Sequence, residues 1–406
     1  MTNHPWLRAF PSLGERDYRI LWTSMLPGTL AMQMNFFANG YLAFELTEAA
    51  SSIGLISLGF GIPMIFLSLP AGVIADRYSK RMILLISQAV TVAASLVMAI
   101  LVLSGTVGVW QMAVISFFQG TAFVFQVPAR QSLITEIVLP GNMMNAIALN
   151  SAGFNACRVI GPPFAGWIIG LSWLGVNGAY ILMTLLYVLV IPGLLKIPDL
   201  SHGARKGAKG WESFVLGISY IWGHPVLMVL LALSLAPIIL GMPFQALMPV
   251  FAKKIFAVGP AGLGMLMMAN GTGAIIGSIA IASMSSLKRP GMVQLTLGAL
   301  FGATLAIFAF SSSFYSAIPM LVLVGAASSA YLALNSTLIM GRSEQRYHGR
   351  VMSVYMLIFS SMPLGNMVMS LFTDIFGVQA AVGTGGILLA VAVIAFGLSS
   401  RSYRGI

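Results

Sequence analysis

Arg158 is a charged residue that lies deep inside a long apolar stretch of this chain. A cation at the centre of a membrane-spanning helix costs at least about 2.5–3.5 kcal/mol, so such a residue faces a cavity or a partner by default. Two roles stay open for Arg158. It either hydrogen-bonds backbone carbonyls beside the helix break expected at Gly161-Pro162, or it binds an anion or couples protons in a central cavity.

Glu45 and Asp374 are the other candidates for reversible protonation, because each follows an apolar stretch near its outer end. Proton relays inside membranes use carboxylates that water reaches from each side in turn. The alternative is that both carboxylates simply lie in the outer headgroup region. We favour this alternative for Asp374, and for Glu45 both interpretations stay open.

Other kinds of chemistry find no support in the residue pattern. The chain has no cluster with metal-ligand spacing, no nucleophile–base pair and no GxxxxGK[ST] phosphate loop. We therefore predict neither an enzyme, nor a metal or other cofactor, nor direct use of ATP. Its single cysteine, Cys157, cannot form an intrachain disulfide.

The composition places these residues in a membrane protein. Hydrophobic residues make up 58% of the 406 positions and charged residues only 8%, whereas soluble domains carry roughly 25% charged residues. The net charge of +11 is spread in small groups rather than in one patch. We therefore predict the lipid bilayer, and not nucleic acid, as the surrounding partner.

The apolar stretches predict an all-α membrane protein with twelve transmembrane helices in two pseudo-symmetric six-helix bundles. Each stretch has about the twenty residues that a bilayer requires. The predicted spans are 18–46, 52–75, 82–104, 109–129, 143–171, 175–196, 224–250, 260–284, 290–311, 314–339, 349–376 and 378–400.

The distribution of basic residues predicts the orientation. Of the twenty-one Lys and Arg residues, all except Lys253, Lys254 and Arg158 fall on one side of the alternating loops. Short loops rich in Lys and Arg remain cytoplasmic, so we predict that both termini are cytoplasmic, as an even number of spans also requires.

A polar, glycine-rich segment near the middle predicts the domain organisation. We predict an N-terminal bundle over 1–196, a cytoplasmic linker over 197–223 and a C-terminal bundle over 224–406. Residues 211–222 of the linker are expected to form an amphipathic helix at the membrane interface. An offset of 205 residues places Gly72 on Gly277 but puts Ile281 where Asp76 would fall, which indicates two related halves.

The loop after the second predicted span reads Gly72-Val-Ile-Ala-Asp76-Arg77-Tyr-Ser-Lys80-Arg81. It resembles the signature G-x-x-x-D-R-x-G-R-R of the major facilitator superfamily, with Ser79 and Lys80 at the usual Gly and Arg positions. The resemblance implies that Gly72 lets the second span approach the eleventh span closely. It also implies that Asp76 lies at the N-terminus of the eleventh span. Arg77 and Arg81 then complete a cytoplasmic lock that gates transport. The alternative is a simple positive-inside anchor.

A second motif within the fifth span, Gly161-Pro162-Pro163-Phe-Ala165-Gly166, resembles the G-P-x-x-G-G motif of drug exporters. Gly161 and Pro162 are therefore further gating candidates, although small residues also serve ordinary helix packing. Neighbouring stretches resemble the branch that holds macrolide-efflux and enterobactin-export proteins. This chain departs from that pattern at Ser116, where an arginine is usual.

Polar and aromatic residues within the spans are the candidate substrate wall. Amides buried in membranes usually join helices, and each contributes about 0.6 kcal/mol, but here they fall on the four spans that line the cavity in the family. The abundant methionine, 26 residues, suits a bulky amphipathic cargo. The candidates are Asn35, Phe36, Asn39, Gln119, Phe123, Gln126, Arg158, Phe244, Gln245, Tyr331 and Asn335.

These features predict a secondary transporter of a bacterial inner membrane, and the family resemblance implies a monomer. Its expected task is export of a drug-like or siderophore-like small molecule by alternating access, driven by inward proton flow. Uptake or lysophospholipid flipping by the same fold is the first alternative. A non-transporting sensor or scaffold is the second, but it predicts a sizeable soluble module, and the longest polar segment is the short linker.

Overall fold

The computed structural model describes residues 10–199, 210–284 and 289–399. Within these residues every regular element is a helix. The first half contains α1 (Arg16–Thr47), α2 (Ala50–Arg77), α3 (Lys80–Leu103), α4 (Val109–Ile137), α5 (Met143–Gly170) and α6 (Gly175–Lys196). The second half contains α7 (Gly210–Trp222), α8 (Pro225–Ile255), α9 (Pro260–Ser283), α10 (Pro290–Ala309), α11 (Phe314–Arg342), α12 (Gln345–Phe376) and α13 (Val378–Ser399).

Part of the predicted basic pattern lies outside the described residues, as do residues 200–209 of the predicted linker. The basic residues concerned are Arg8, Arg205, Lys206, Lys209, Lys288, Arg401 and Arg404.

The helices agree with the predicted membrane spans. Ten of those in the described residues are long and apolar enough to cross a bilayer. The other two, α1 and α5, have 32 and 28 residues but carry more polar side chains. Asn35, Asn39 and Glu45 lie in α1, while Asn155 and Arg158 lie in α5. We count both as spans, because each is longer than the twenty residues or so that a bilayer needs.

The end predicted for the fourth span is wrong. α4 does not end at residue 129 but continues to Ile137, with Pro128 inside the helix. Proline removes one backbone hydrogen bond and usually ends or kinks a helix. Here the helix continues, and Leu133 and Ile134 beyond the proline are buried in the hydrophobic core.

Proline produces the irregular turns inside α8 and α12. Pro237 begins a π-helical turn in α8 that ends at Gly241, and a 3₁₀ turn follows. In α12 the helix is interrupted at Ser360 and Ser361 and resumes at Met362, the residue before Pro363. Irregular backbone is tolerated at membrane depth where protein covers it, and Pro237 and Gly241 are both buried.

Packing divides the chain into two compact units. The first comprises the described residues within Met1–Asn39 and Ile62–Gly210. One of its hydrophobic cores includes Tyr18, Leu84, Leu133 and Leu194. The predicted domain boundaries at 196 and 224 stay a prediction.

The second unit comprises the described residues within Gly40–Gly61 and Trp211–Ile406. The backbones of α9 and α11 approach closely in this unit, because glycines lie at the contact. A Cβ atom on Gly273 would overlap the carbonyl oxygen of Val322, and one on Gly277 would overlap that of Ala326. Such glycines let membrane helices pack backbone to backbone.

The helix predicted over 211–222 is confirmed as α7, which runs from Gly210 to Trp222. Val215, Leu216 and Trp222 are exposed, whereas Ile221 is buried in the core of the second unit. An exposed apolar face of this kind is typical of a helix that lies in the membrane interface.

Candidate functional site

Hydrogen bonds within the first unit connect several of the predicted wall amides to other helices. Asn35 donates from Nδ2 to Oε1 of Gln119 over 2.9 Å. Asn39 accepts a 2.7 Å hydrogen bond from the hydroxyl of Tyr180. All four side chains are buried. In this conformation these amides join α1 to α4 and α6, which is the role of most buried amides in membranes.

Gln126 belongs to a polar cluster that the sequence analysis missed. Its Nε2 donates to Gln88 and to Thr91 on α3, over 3.4 Å in each case. Gln88 in turn donates to the carbonyl oxygen of Tyr187 over 2.8 Å. A signal was present in the sequence, because Gln88 and Thr91 are polar residues one helical turn apart within an apolar span.

Arg158 lies near the middle of α5 and is half-buried. Its guanidinium makes no hydrogen bond or ion pair with the described residues. A guanidinium has five N–H donors and is always charged, so an unpaired one is suited to bind an anionic group in bidentate fashion. Arg158 therefore has the chemistry of a ligand-binding cation, although its role stays a prediction.

Asn335 is the centre of a hydrogen-bond network in the second unit. Gln294 donates from Nε2 to Oδ1 of Asn335 over 2.6 Å, and Asn335 donates from Nδ2 to the hydroxyl of Ser234, also over 2.6 Å. Tyr331 donates its hydroxyl to the carbonyl oxygen of Leu233 over 2.8 Å. All these side chains are buried, so the network connects α8, α10 and α11.

Exposure separates the predicted wall residues into two groups. Six are buried in this conformation, namely Asn35, Asn39, Gln119, Phe244, Tyr331 and Asn335. The others are half-buried or exposed, with Phe36 at 45% exposure, and comprise Phe36, Phe123, Gln126, Arg158 and Gln245. Only the second group offers surface to a ligand without a change of conformation.

At Asn335 an experiment can separate the role of joining helices from the role of binding substrate. Asn335→Ala removes the side chain that accepts from Gln294 and donates to Ser234, so we expect the variant to lose about 1–3 kcal/mol of stability. The melting temperature is measured through thiol labelling of the buried Cys157 on heating. Ser336→Ala is the matched control, since the side chain of Ser336 donates to Ala333 of its own helix and to no other helix in the described part of the chain. Reduced transport with an unchanged melting temperature would instead support a wall residue.

The signature loop is anchored within the first unit. Arg81 donates to the carbonyl oxygens of Leu194 and Leu195 at the end of α6, over 3.3 and 2.8 Å. Lys80 forms a 3.1 Å ion pair with Glu136 of α4. A cation at a helix C-terminus satisfies free carbonyls and complements the helix dipole. These contacts position the start of α3.

Ser79, which replaces the usual glycine of the signature, has a structural function. Its hydroxyl accepts a hydrogen bond from the backbone N–H of Met82 and so caps the N-terminus of α3. It also donates to Asp199 over 2.8 Å. Serine is a favoured N-cap residue for this reason.

The remaining gating candidates have different surroundings. Asp76 and Arg77 are exposed, and a Cβ atom on Gly72 would meet nothing within 4 Å. In contrast, Gly161 lies in a close contact of α5 with α1, where a Cβ atom would lie 2.7 Å from Cβ of Gln33. Pro162 lies within the uninterrupted helix α5. The gating roles stay predictions.

Both carboxylates considered for proton coupling have partners in the second unit. Glu45 accepts a 3.3 Å hydrogen bond from Lys253. Asp374 accepts from the backbone N–H groups of Ala50 and Ser51. Within the described residues no group of His, Cys, Asp and Glu has the arrangement of a metal site.

Two units of membrane-spanning helices, with polar side chains inside the spans, define a polytopic membrane transporter. Solved structures have the same fold. A bacterial homologue of the human lysosomal transporter Spinster, in an inward-facing conformation, aligns with a TM-score of 0.74 at 14% identity, covering 96% of each chain. A peptide transporter of the POT family in complex with sulfate aligns with a TM-score of 0.75 at 12% identity, covering 96% of this chain and 95% of that one.

Residues 8–401 match the transmembrane secretion effector family, and the chain belongs to that family within the major facilitator superfamily. The resemblance seen in the signature loop is thus confirmed. The chain is 24% identical to the staphyloferrin A transporter of Staphylococcus aureus over 89% of this chain and 91% of that protein. It is 21% identical to macrolide efflux protein A of Streptococcus pyogenes, over 87% and 89%. The enterobactin exporter of Escherichia coli is 23% identical, over 75% and 73%.

Proposed function

We propose that this protein is a secondary active exporter that moves a bulky amphipathic organic molecule out of the cell. The observation that carries this proposal is Arg158, a half-buried cation without a partner among the described residues, in a span of a chain from a transporter family. The names of two relatives, a macrolide efflux protein and an enterobactin exporter, support the direction. Together with the name of the staphyloferrin A transporter, they also support the cargo class.

The cargo class follows from the accessible polar and aromatic residues. Arg158 favours an anionic or zwitterionic group, because a guanidinium binds carboxylates and phosphates in bidentate fashion. Phe36 and Phe123 offer aromatic surface, and Gln126 and Gln245 offer hydrogen bonds. We therefore propose a drug-like or siderophore-like compound that carries both an apolar body and an acidic group.

The proposed cycle is alternating access around a site at the membrane midplane, as in other transporters built from repeats. We propose that Gly72, Asp76, Arg77 and Arg81 form the cytoplasmic gate. Gly161 and Pro162 would gate through the contact of α5 with α1. We also propose a monomer in the inner membrane of a bacterium, with both termini in the cytoplasm.

Inward proton flow is the proposed driving force, with Glu45, Arg158 and Asp374 as the candidate coupling groups. Each carboxylate accepts a hydrogen bond in this structure, so its protonation would weaken that contact. An arginine remains charged in proteins, so Arg158 would bind the carboxylate of the cargo, and Glu45 or Asp374 would take up a proton outside and release it inside.

Transport in everted membrane vesicles tests this function. Vesicles are prepared from a strain without its own drug pumps, energised with a proton gradient and supplied with a fluorescent acidic amphiphile. We expect accumulation inside the vesicles that a protonophore abolishes. Accumulation only in right-side-out vesicles would show uptake instead. Redistribution of a labelled lysophospholipid without movement of the amphiphile would show lipid flipping.

A further inference from the structure

The junction of α1 and α2 lies at the end of the helices that the basic residues predict to be extracytoplasmic. It is very short, since α1 ends at Thr47 and α2 begins at Ala50. Glu48 between them has a φ of 53°, a left-handed conformation that a non-glycine residue seldom adopts without external contacts. Local hydrogen bonds hold part of this junction, since the hydroxyl of Ser52 donates to the carbonyl oxygens of Ala43 and Ala49, and further partners come from distant parts of the chain.

Asp374 supplies one of these partners from the far end of α12. Its Oδ1 accepts a hydrogen bond from the backbone N–H of Ala50 over 2.6 Å, and its Oδ2 accepts from Ser51 over 2.9 Å. The first N–H groups of a helix have no partner within the helix, and a negative charge there complements the dipole. The residue before α2 is Ala49, which has no polar side chain to do this. Asp374 thus caps a helix 324 positions away along the chain.

Lys253 and Lys254 of α8 hold the same junction from another direction. Lys253 lies between two carboxylates, 3.3 Å from Glu45 and 3.1 Å from Glu48. Lys254 donates to the carbonyl oxygen of Glu48 over 3.2 Å. Both ammonium groups also lie within 6 Å of the ring of Phe44, at 5.7 and 5.3 Å. Each exposed pair is weak by itself, but together they bind one short junction.

Behind these contacts, the first half of α2 packs closely on α12. A Cβ atom on Gly54 would lie 2.9 Å from Cα of Met367, and one on Gly61 would overlap Pro363. This packing buries polar atoms without partners among the described residues, namely Oδ1 of Asn366 and the hydroxyl of Ser370. A buried polar atom without a partner raises the free energy of the packed state, so a state in which water reaches that atom is favoured.

We propose that Asp374, together with the Lys253–Glu45–Glu48 cluster, is a latch that holds the first half of α2 on α12. Asn366 and Ser370 oppose the latch, because separation of the two helices hydrates them. Asp374 is then a positioning residue of the transport cycle, whose release lets this end open. This inference rests on the proposed alternating access, and it gives Lys253 and Lys254 a role that the positive-inside pattern left unexplained.

Thiol accessibility at Ser370 tests the latch directly. In a Cys157→Ser background, Ser370→Cys places a single thiol at a position with 0% exposure in this structure. A membrane-impermeant maleimide is expected to label this thiol slowly in the otherwise unchanged protein. Adding Asp374→Ala is expected to raise the labelling rate about tenfold, because the opened state becomes more populated. Asp374→Asn, which keeps the shape but loses the charge, is expected to give an intermediate rate.

Distances between spin labels give a second measurement on the folded protein. Labels are placed by Leu46→Cys and Ile375→Cys, which lie at exposed positions on α1 and α12. We expect Asp374→Ala and Lys253→Ala to move population from the short to the long distance. Glu344→Gln, which removes an exposed ion pair with Arg346 away from the latch, is the matched control and should change nothing.

The outcomes separate the latch from the proposed function, because neither measurement requires a cargo. Unchanged labelling and unchanged distances in a folded Asp374→Ala variant would overturn the latch even if the protein exports its cargo. A shift in both, in a protein that exports nothing, would support the latch and count against export. A variant that elutes as an aggregate is replaced by Lys253→Ala, for which the same two outcomes apply.

Discussion

Arg158→Ala is expected to reduce export at least about tenfold while the melting temperature of the purified protein stays nearly unchanged. A hydrogen bond to a charged group contributes about 1.5–3 kcal/mol, and each 1.4 kcal/mol is a factor of ten in binding. Arg158 has no partner among the described residues, so its removal deprives no neighbouring group of a hydrogen bond. The transport rate in energised everted vesicles and thiol labelling of Cys157 on heating provide the two measurements.

Arg158→Lys is the informative companion variant, because it keeps the charge but loses the planar fork of donors. We expect it to retain part of the export of a singly charged cargo. Arg346→Ala removes an exposed arginine that already has a partner, Glu344, and serves as the control. If Arg158→Ala lowers the melting temperature as well as the export rate, the guanidinium supports the backbone beside Gly161-Pro162 and does not bind cargo.

Gly277→Leu is expected to prevent stable assembly of the second unit. A single Cβ atom at this position would already overlap the carbonyl oxygen of Ala326, and the larger side chain would push α9 away from α11. Overpacking typically costs about 1–3 kcal/mol, and a backbone contact leaves less room to relax than a side-chain contact. The yield of monodisperse protein by size-exclusion chromatography is the measurement, and Gly277→Ala should show a smaller loss in the same direction.

Two other glycines are matched controls for this prediction. Gly341 lies in α11 itself, and Gly72 occupies the position that the 205-residue offset pairs with Gly277. A Cβ atom would meet nothing within 4 Å at either one. We expect Gly341→Ala and Gly72→Ala to keep or slightly raise stability, since alanine favours helix by about 1 kcal/mol over glycine. Equal yields for Gly277→Leu and Gly341→Ala would show that the close contact is not needed.

The pair Gly72 and Gly277 shows why related halves do not have related surroundings. The offset in the sequence places them in equivalent positions, yet one faces open space and the other faces a backbone carbonyl. A residue at a contact between two helices touches residues that belong to another span. Sequence spacing along one helix specifies a face, but it does not specify what lies opposite.

The amides illustrate the same division. Their presence on several spans was evident from the residue pattern, and so were the two possible roles, which are joining helices and lining the substrate site. The structure closes Asn335 into a network with Gln294 and Ser234, while it leaves Gln245 partly accessible. Hydrogen bonds between spans join residues far apart in the chain, so no local pattern reveals which amides are already satisfied.

The amino-acid sequence by itself determined that this is a helical membrane protein, where most of its helices run and which superfamily it belongs to. Those properties follow from the lengths of apolar stretches and from short motifs, which are local. Only the tertiary structure decided that Asp374 caps α2 and that Lys253 binds Glu45 and Glu48. Charges at a membrane surface can remain solvated or can pair, and the packing of distant helices decides between the two.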